Sequence, residues 1–231
     1  MKVVEIKKYG GPEVLEIGSR EIPVLKENEV LIKVKAAGIN RPDILQREGN
    51  YPPPKDSSDI LGLEIAGEVV KVGKKVKNIK ISDKVCALVS GGGYAEYCSA
   101  PFTQCLPIPK GLTFEEACIL PETFFTIWFN LFIKNKVKKK QKILIHGGSG
   151  GIGTTAIQIT KNFGLEVFTT TRSQNKSIKC KKLGAHYSIN TKKTDFEEFI
   201  KKKTNGDGVD VILDIVGGNY VQKNINILKR N

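Results

Sequence analysis

The feature that most constrains the fold is a glycine-rich stretch between a short apolar run and a helical pattern. Residues 143–153 read Ile-Leu-Ile-His-Gly-Gly-Ser-Gly-Gly-Ile-Gly, and an amphipathic pattern covers residues 152–163. Read as G-x-G-x-x-G, the glycines are Gly148, Gly150 and Gly153. The first permits a tight turn, the second lets backbone approach a pyrophosphate, and the third lets a helix pack on a strand. The stretch therefore predicts a strand–turn–helix unit whose helix N-terminus binds a dinucleotide.

Strand and helix patterns alternate along the chain from about residue 119. A first helix is predicted over residues 123–133. The predicted strands cover residues 142–146, 166–171, 186–189 and 210–215, and the helices between them cover residues 151–163, 174–183 and 194–203. This alternation is typical of a doubly wound parallel sheet, so we expect a dinucleotide-binding domain over residues 119–231. Only four of the six strands of a complete fold are present, so we expect this domain to be incomplete at its C-terminal end.

The first half of the chain has a different pattern. It consists of short apolar alternations, clearest at residues 30–36 and 64–70, separated by Gly- and Pro-rich breakers such as residues 52–54. One short helical segment is predicted over residues 43–48. Short strands with frequent breakers predict a β-rich, partly open barrel or sandwich, and we expect residues 1–118 to form a separate domain.

The net charge of +13 raises the question of nucleic-acid binding. The 37 basic residues include only five arginines, although arginine is the residue that base and phosphate recognition favours. The lysines are scattered, with short runs at residues 138–140 and 201–203, and they fit solvated faces. We therefore do not expect nucleic acid to be a partner, although an RNA-binding chain that uses this basic surface stays an open alternative.

The cysteine content bears on the compartment. The five cysteines form no Cys-x-x-Cys pair and are odd in number. The N-terminus has the pattern of a short strand rather than an export signal, and no apolar run is long enough to span a bilayer. We therefore expect reduced thiols in a cytoplasmic protein with no membrane partner.

Several motifs, in the same order, resemble the medium-chain dehydrogenase/reductase superfamily. They are residues 37–43 (Ala-Gly-Ile-Asn-Arg-Pro-Asp), 46–54, 61–67 (Leu-Gly-Leu-Glu-Ile-Ala-Gly), 91–97, 121–128, 146–155 and 214–218. Within that superfamily the chain is similar to the zinc-free NADPH quinone oxidoreductases, and most similar to the p53-inducible quinone reductase type. The resemblance implies a GroES-like catalytic domain followed by a Rossmann domain, with the C-terminal part of the family fold missing. Family dimers pair through that missing part of the sheet, so a homodimer is in doubt for this chain.

The chain lacks the residues that bind zinc in zinc-dependent relatives. Those relatives place Cys at the position of Asn40 and Gly-His-Glu at residues 62–64, where this chain has Gly-Leu-Glu. Only two histidines are present, and a catalytic zinc needs three N, S or O ligands, so we expect no metal. Without a Lewis acid, the expected reaction is hydride delivery to an electrophilic small molecule, namely a quinone or an α,β-unsaturated carbonyl.

Three polar residues are candidates for contact with the reacting molecules. The resemblance implies that the Asn40 amide holds the nicotinamide or its ribose and helps to bind an acceptor oxygen; a turn Asn bonded to its own backbone is the alternative. Tyr51 could stack on a quinone or donate a proton to it, or it could simply pack beneath its Pro-rich loop. Thr126 lies in a helix that resembles the family's nicotinamide-contacting segment; the alternative is a core Thr bonded to a helix carbonyl. Asp43 is expected to cap or orient the short helix.

The end of the second predicted strand favours NADPH over NADH. NAD-binding folds place an acidic residue there to bind the ribose 2′-hydroxyl, whereas this chain has Thr171-Arg172-Ser173 and then Lys176. The hydroxyl and the two cations suit a 2′-phosphate, or else the cations are solvated surface groups. The resemblance departs at Thr191, where the family often has Tyr. The full set of predicted cofactor-binding residues is Asn40, Thr126, His146, Gly148, Ser149, Gly150, Gly151, Ile152, Gly153, Thr171, Arg172, Ser173, Lys176, Val216 and Gly217.

The sequence therefore predicts a zinc-independent oxidoreductase that transfers hydride from NADPH to a quinone. An enone or enal double-bond reductase is the close alternative, because both acceptors need the same hydride geometry. A truncated nucleotide-binding chain without turnover is an alternative of a different class, because a sheet that ends on its fourth strand leaves an exposed edge.

Overall fold

The computed structural model describes residues 1–230. The chain divides into two compact units, Met1–Glu122 and Thr123–Asn231. The division in the structure follows Glu122, a few residues after the expected domain boundary between residues 118 and 119. That boundary stays a prediction.

The first unit is built on antiparallel strands. Its strands are β1 (Lys2–Ile6), β2 (Leu15–Ser19), β3 (Glu29–Ala37), β4 (Glu64–Val72), β5 (Lys84–Leu88), β6 (Tyr97–Pro101) and β7 (Cys105–Pro107). β1 pairs with β2, and the other five form a sheet in the order β6-β3-β4-β5-β7. Alternate apolar residues such as Val30, Ile32 and Ile65 enter one core, as period-2 patterning requires. The expected β-rich first domain is therefore observed.

Two structural features place polar residues at the edge of this sheet. The pairing of β3 with β4 shifts register at Leu31/Ile32 and at Val34/Ala36, which marks bulges that re-aim the end of β3. The chain then enters α1 (Arg41–Arg47) at Asn40, its N-cap, and a second short helix, α2 (Phe114–Ala117), is capped by Thr113. The predicted helix over residues 43–48 is thus present, and it begins two residues earlier than expected.

The second unit is a parallel sheet with helical connections. Its strands are β8 (Lys142–Ile145), β9 (Glu166–Thr171), β10 (Tyr187–Asn190) and β11 (Val211–Leu213), in the order β10-β9-β8-β11. Its helices are α3 (Pro121–Ile127, which begins just before the unit), α4 (Gly151–Asn162), α5 (Gln174–Lys182), α6 (Phe196–Lys203) and α7 (Tyr220–Ile227). This order is the first part of a doubly wound sheet, as the alternation of strand and helix patterns predicts. Two apolar cores, around Ile143 and around Leu144, cover its two faces.

The first predicted helix of this half differs from the observed one. Instead of one α-helix over residues 123–133, α3 is followed by a π-helical segment, Trp128–Lys134. The Asn130 side-chain amide donates to the Thr126 carbonyl oxygen at 2.8 Å, and this carbonyl is the one that an α-helix would pair with the Asn130 backbone. Single π turns are frequent at functional sites, and this one directly follows Thr126.

One stretch satisfies the length and composition of a membrane-spanning helix. It is Phe114–Lys134, 21 residues with a mean hydropathy of 1.2. The stretch is not one continuous helix, because α2 ends at Ala117 and α3 begins at Pro121. Core helices of water-soluble proteins pass the same test, so the finding is weak support for a membrane span.

Candidate functional site

Two glycines of the fingerprint are required by packing within the second unit. A Cβ on Gly148 would collide with the Thr169 side chain of β9, lying 3.0 Å from its Cβ. A Cβ on Gly153 would lie 2.6 Å from the Gly148 Cα. The strand, the loop and α4 can approach this closely only without side chains at the two positions. The fold itself therefore explains Gly148 and Gly153.

Gly150 is different, because the protein leaves room there. The nearest atom to a Cβ on Gly150 is the Gly147 carbonyl oxygen at 3.5 Å, an ordinary contact. Gly150 is the N-cap of α4, and no side chain caps that helix within residues 1–230. The first backbone N–H groups of α4, on Gly151, Ile152 and Gly153, are thus left for an anion at the positive end of the helix dipole. Such an uncapped terminus, exposed at Gly150 and Gly151, fits the pyrophosphate of a dinucleotide.

The predicted 2′-phosphate residues lie at the carboxyl end of β9. Ser173 is the N-cap of α5, and its hydroxyl accepts from the Lys176 backbone N–H at 3.4 Å. The Thr171 hydroxyl donates to the Ser173 carbonyl oxygen at 3.2 Å, which orders the turn. Arg172 and Lys176 are exposed, and neither forms an ion pair with any described residue. The Arg172 guanidinium and the Lys176 ammonium group are therefore available to a phosphate.

His146 is held entirely inside the protein. It is fully buried, its Nδ1 lies 2.9 Å from the Thr170 Oγ1, and its Nε2 lies 2.8 Å from the Asn224 Oδ1. Because the Asn224 oxygen can only accept, the network assigns the proton to Nε2. Burial lowers the pKa of His146, which keeps the ring neutral. Its side chain offers no free nitrogen to a cofactor, so in place of the predicted cofactor contact we propose a structural role.

The same network reaches the loop after β11. Asn224 donates from Nδ2 to the Asp214 Oδ2 at 2.9 Å. The Asp214 Oδ1 accepts from the backbone N–H groups of Val216 at 2.8 Å and Gly217 at 2.9 Å. Gly217 has a φ of +65°, the left-handed region that favours glycine. Since both N–H groups are engaged, the predicted cofactor contact of this loop is left to its carbonyl oxygens and to the Val216 side chain.

Asn40, in the first unit, is held by two carboxylates. Its backbone N–H donates to the Asp43 Oδ2 at 2.7 Å, and its side-chain Nδ2 donates to the Glu64 Oε1 at 2.9 Å. Asp43 also accepts from the Tyr94 hydroxyl at 2.9 Å and from the Gly62 backbone N–H at 3.2 Å. The expectation that Asp43 caps and orients α1 therefore agrees with its contacts. The Asn40 side chain is bonded to Glu64 through its Nδ2, and it also takes part in a capping box with Asp43 at the start of α1.

The electrostatics around Asn40 are those of a buried acidic cluster. Asp43 and Glu64 are 3% and 2% exposed. Burial raises the pKa of Glu64, against the lowering effect of its hydrogen bonds, and burial also raises the pKa of Glu122. Burial and the adjacent Asp43 charge raise the pKa of Tyr94, so its hydroxyl stays a hydrogen-bond donor. Sequence reasoning missed Glu64 and Tyr94 as site residues, although both lie in the motifs that carry the family resemblance.

The other two candidates, Tyr51 and Thr126, belong to different units. Tyr51 is half-exposed and lines a groove of about 380 Å³ together with Tyr9, Gln46 and Pro52. It follows the far end of α1, a helix roughly 10 Å long at 1.5 Å per residue, and no described hydrogen bond joins it to Asn40. Thr126 is partly exposed in the second unit, and its hydroxyl makes no hydrogen bond within residues 1–230. The core alternative for Thr126, a hydroxyl bonded to a helix carbonyl, is not observed.

No group of three or more His, Cys, Asp or Glu side chains among the described residues is placed to hold a metal ion. The position that carries Cys in zinc-dependent relatives holds the Asn40 amide, and the Glu64 carboxylate is used to bind that amide. The polar groups present at this position are therefore arranged for hydrogen bonding.

The chain matches two family models. Residues 26–110 match the alcohol dehydrogenase GroES-like domain, and residues 151–231 match the zinc-binding dehydrogenase model. A quinone oxidoreductase of Sus scrofa is 34% identical over 230 residues, which cover 99% of this chain and 70% of the relative. A quinone oxidoreductase of Homo sapiens is 30% identical over the same shares.

Solved structures give the same result. The Escherichia coli quinone oxidoreductase complexed with NADPH has a TM-score of 0.87 at 33% identity, with 100% of this chain and 71% of that chain covered. The CurK enoyl reductase has a TM-score of 0.90 at 30% identity, with 99% and 71% covered. The family and fold expected from the motifs are thus confirmed: the chain belongs to the medium-chain dehydrogenase/reductase superfamily of oxidoreductases, with a GroES-like domain and a Rossmann-type parallel sheet.

Proposed function

We propose that this protein transfers hydride from NADPH to a quinone without using a metal ion. The observation that carries the proposal is the uncapped N-terminus of α4, where a Cβ on Gly150 would make only an ordinary contact. The quinone oxidoreductase relatives, and the E. coli structure complexed with NADPH, support the same cofactor and acceptor.

The chain's own residues provide for each part of the cofactor. The backbone of Ser149 to Gly153 would hold the pyrophosphate, and Arg172, Ser173 and Lys176 would hold the 2′-phosphate of NADPH. The absence of an acidic side chain at the end of β9 supports NADPH over NADH, since NAD folds use that acid to bind the ribose. Bound NADPH would supply the hydride.

The nicotinamide and the acceptor are assigned to hydrogen-bonding residues. Asn40 would bind the nicotinamide end or an acceptor oxygen, and its amide is already oriented by Glu64. The free Thr126 hydroxyl and the carbonyl groups of Val216 and Gly217 would contact the nicotinamide and its ribose. Tyr51 has enough exposure to contact an aromatic acceptor from its groove.

An enone or enal reductase is the second candidate. The observation that favours it is the likeness to the CurK enoyl reductase, which is as high as the likeness to the quinone oxidoreductase structures. Both reactions need hydride delivery to an electrophilic carbon or ring, so the residues above serve either acceptor.

We also propose that the protein acts in the cytoplasm. All five cysteines are free, and burial raises the pKa of Cys98 and Cys105 to about 12. The free state of the cysteines fits a reducing compartment, and thiols with such a raised pKa form little thiolate.

Two measurements test the function. Titration of the purified chain with NADPH and with NADH, followed by cofactor fluorescence, is expected to give tighter binding of NADPH. Consumption of NADPH is then followed with p-benzoquinone and with cyclohexenone as acceptors. Faster turnover of the quinone supports the first function, and faster turnover of the enone supports the second. Binding without turnover of either acceptor would contradict both.

A further inference from the structure

Glu64 reaches Asn40 because of strand pairing. Glu64 opens β4, whose register places Ile65 opposite Ala37 at the end of β3. The Gly38 backbone N–H donates to the Glu64 carbonyl oxygen at 3.1 Å, which extends the pairing one residue toward Asn40. The position of Glu64 beside Asn40 is therefore fixed by the sheet.

The Glu64 carboxylate uses both of its oxygens. Oε1 accepts from the Asn40 Nδ2, and Oε2 accepts from the Glu122 backbone N–H at 2.9 Å. Both partners are donors, so only a group with two acceptors satisfies them together. A glutamine could accept one bond and would present an N–H to the other donor.

Gly38 provides the space for this side chain. A Cβ on Gly38 would overlap the Glu64 carboxylate, lying 2.7 Å from its Cδ. The backbone of Gly38 has a negative φ, so the glycine is not required by its conformation. The small residue is explained by the approach of Glu64.

The free-energy cost of burying the Glu64 carboxylate is not offset by an ion pair with any described residue. The Asp43 charge raises the pKa of Glu64, and the Glu64 charge raises the pKa of Glu122. No Lys or Arg among residues 1–230 forms an ion pair with Glu64. A buried acid without a cation is unfavourable for stability, and an apolar residue would usually serve a purely structural role better. The Glu64 side chain is therefore best explained by the two donors that it binds, the Asn40 side-chain amide and the Glu122 backbone N–H.

We propose that Glu64 is the positioning residue for Asn40: it fixes the side-chain amide in the orientation that binds the nicotinamide or the acceptor oxygen. The inference rests on the proposed function of Asn40. The backbone N–H of Asn40 is held separately by Asp43, so a change at Glu64 leaves that contact in place. An amide fixed in this way loses no rotational freedom when the ligand binds.

A double-mutant cycle tests the proposal. Glu64→Gln is expected to lower turnover of p-benzoquinone by about 10-fold to 100-fold, the usual effect of a misplaced contact, while the Kd of NADPH changes less than about 2-fold. In an Asn40→Ala background, Glu64→Gln is expected to have no further effect, because the residue acts through Asn40. Gly38→Ala is expected to reproduce Glu64→Gln. Glu29→Gln is the matched control. It neutralises a buried Glu of β3 whose carboxylate contacts the Lys26 backbone N–H and side chain, and turnover is expected to stay unchanged.

A spectroscopic readout separates this inference from the proposed function. In ¹⁵N–¹H spectra, the Asn40 side-chain amide is assigned by its loss in Asn40→Ala. Its resonance is expected to move, and its protons to exchange faster with solvent, in Glu64→Gln and Gly38→Ala but not in Glu29→Gln. An unmoved resonance, or effects of Glu64→Gln and Asn40→Ala on turnover that simply add, would overturn the positioning role. Absence of quinone turnover in the unmodified protein, with the resonance shifts present, would overturn the proposed function alone.

Discussion

Replacing Gly150 by Asp should distinguish the role of this residue in folding from its role in ligand binding. Gly150 has a φ of −84° and a ψ of 172°, which any residue adopts, and a Cβ there meets only the Gly147 carbonyl oxygen at 3.5 Å. Asp is also a better N-cap than Gly by a few tenths of a kcal/mol, and its charge gains about 0.3–1 kcal/mol at a helix N-terminus. The thermal midpoint of the free protein should therefore stay the same or rise slightly.

The effect on NADPH binding should have the opposite sign. Two negative charges about 4 Å apart repel by about 4 kcal/mol at an effective dielectric constant of about 20. A carboxylate placed where the pyrophosphate is proposed to bind should therefore weaken NADPH binding by about 1,000-fold. The Kd is measured by fluorescence titration, alongside a thermal melt of the same sample.

Two controls sharpen the measurement. Gly150→Ala adds the Cβ without charge, so it separates steric exclusion from repulsion. Gln158→Glu adds one negative charge on the same helix, roughly 12 Å further along, where salt screens most of its effect. If Gly150→Asp folds normally and binds NADPH within about 10-fold of the unmodified chain, the pyrophosphate does not lie at the N-terminus of α4 and the assignment of this loop is wrong.

Five further outcomes are expected. Replacing Arg172 and Lys176 together by Ala should lower the ratio of NADPH to NADH affinity by at least about 10-fold, and an unchanged ratio in paired titrations contradicts their role. Gly148→Ala should lower the free energy of unfolding in urea by about 1–3 kcal/mol through overpacking, in contrast to Gly150→Ala. His146→Leu should cost about 1–3 kcal/mol for each buried polar partner left unpaired. The pKa of His146 is lowered from 6.5, so stability in the unmodified chain should fall as pH drops below 6.5, and His146→Leu should remove this dependence. The pKa of Glu64 is raised above 4.5, so its contribution to the free energy of unfolding is present below pH 4.5 and is lost as pH rises. Glu64→Gln should flatten this part of the pH dependence of the free energy of unfolding.

The fold could be predicted from sequence wherever periodicity and breakers agree. The parallel sheet of the second unit follows from apolar runs of four to six residues that alternate with amphipathic helices, and the observed bounds of β8 to β11 differ from the predicted ones by at most two residues. The π-helical turn at Trp128 was not predicted, because it depends on one side-chain amide competing for a helix carbonyl. α7 was not predicted, because its N-cap, Asn219, directly follows two glycines, which indicate a turn.

The site was predictable where its residues are adjacent in sequence. The loop at Gly150 and the turn at Ser173 are local structures, and the residue types alone indicate their chemistry. Glu64 lies 24 residues from Asn40, and Asn224 lies 78 residues from His146. These pairs meet only through strand pairing or helix packing, so no local pattern reveals them. A Glu inside the apolar run Leu-Gly-Leu-Glu-Ile-Ala is the one signal that could have identified Glu64.

The glycines of the two motifs show how the structure divides roles that look alike in sequence. Gly148 is required by the Thr169 side chain, Gly153 by the loop backbone, and Gly38 by the Glu64 carboxylate. A Cβ on Gly150, by contrast, would make only an ordinary contact, with the Gly147 carbonyl oxygen at 3.5 Å. Substitutions at the first three positions must therefore change stability or side-chain placement before they change ligand binding. A substitution at Gly150 can change ligand binding alone, so its effect reports directly on the dinucleotide.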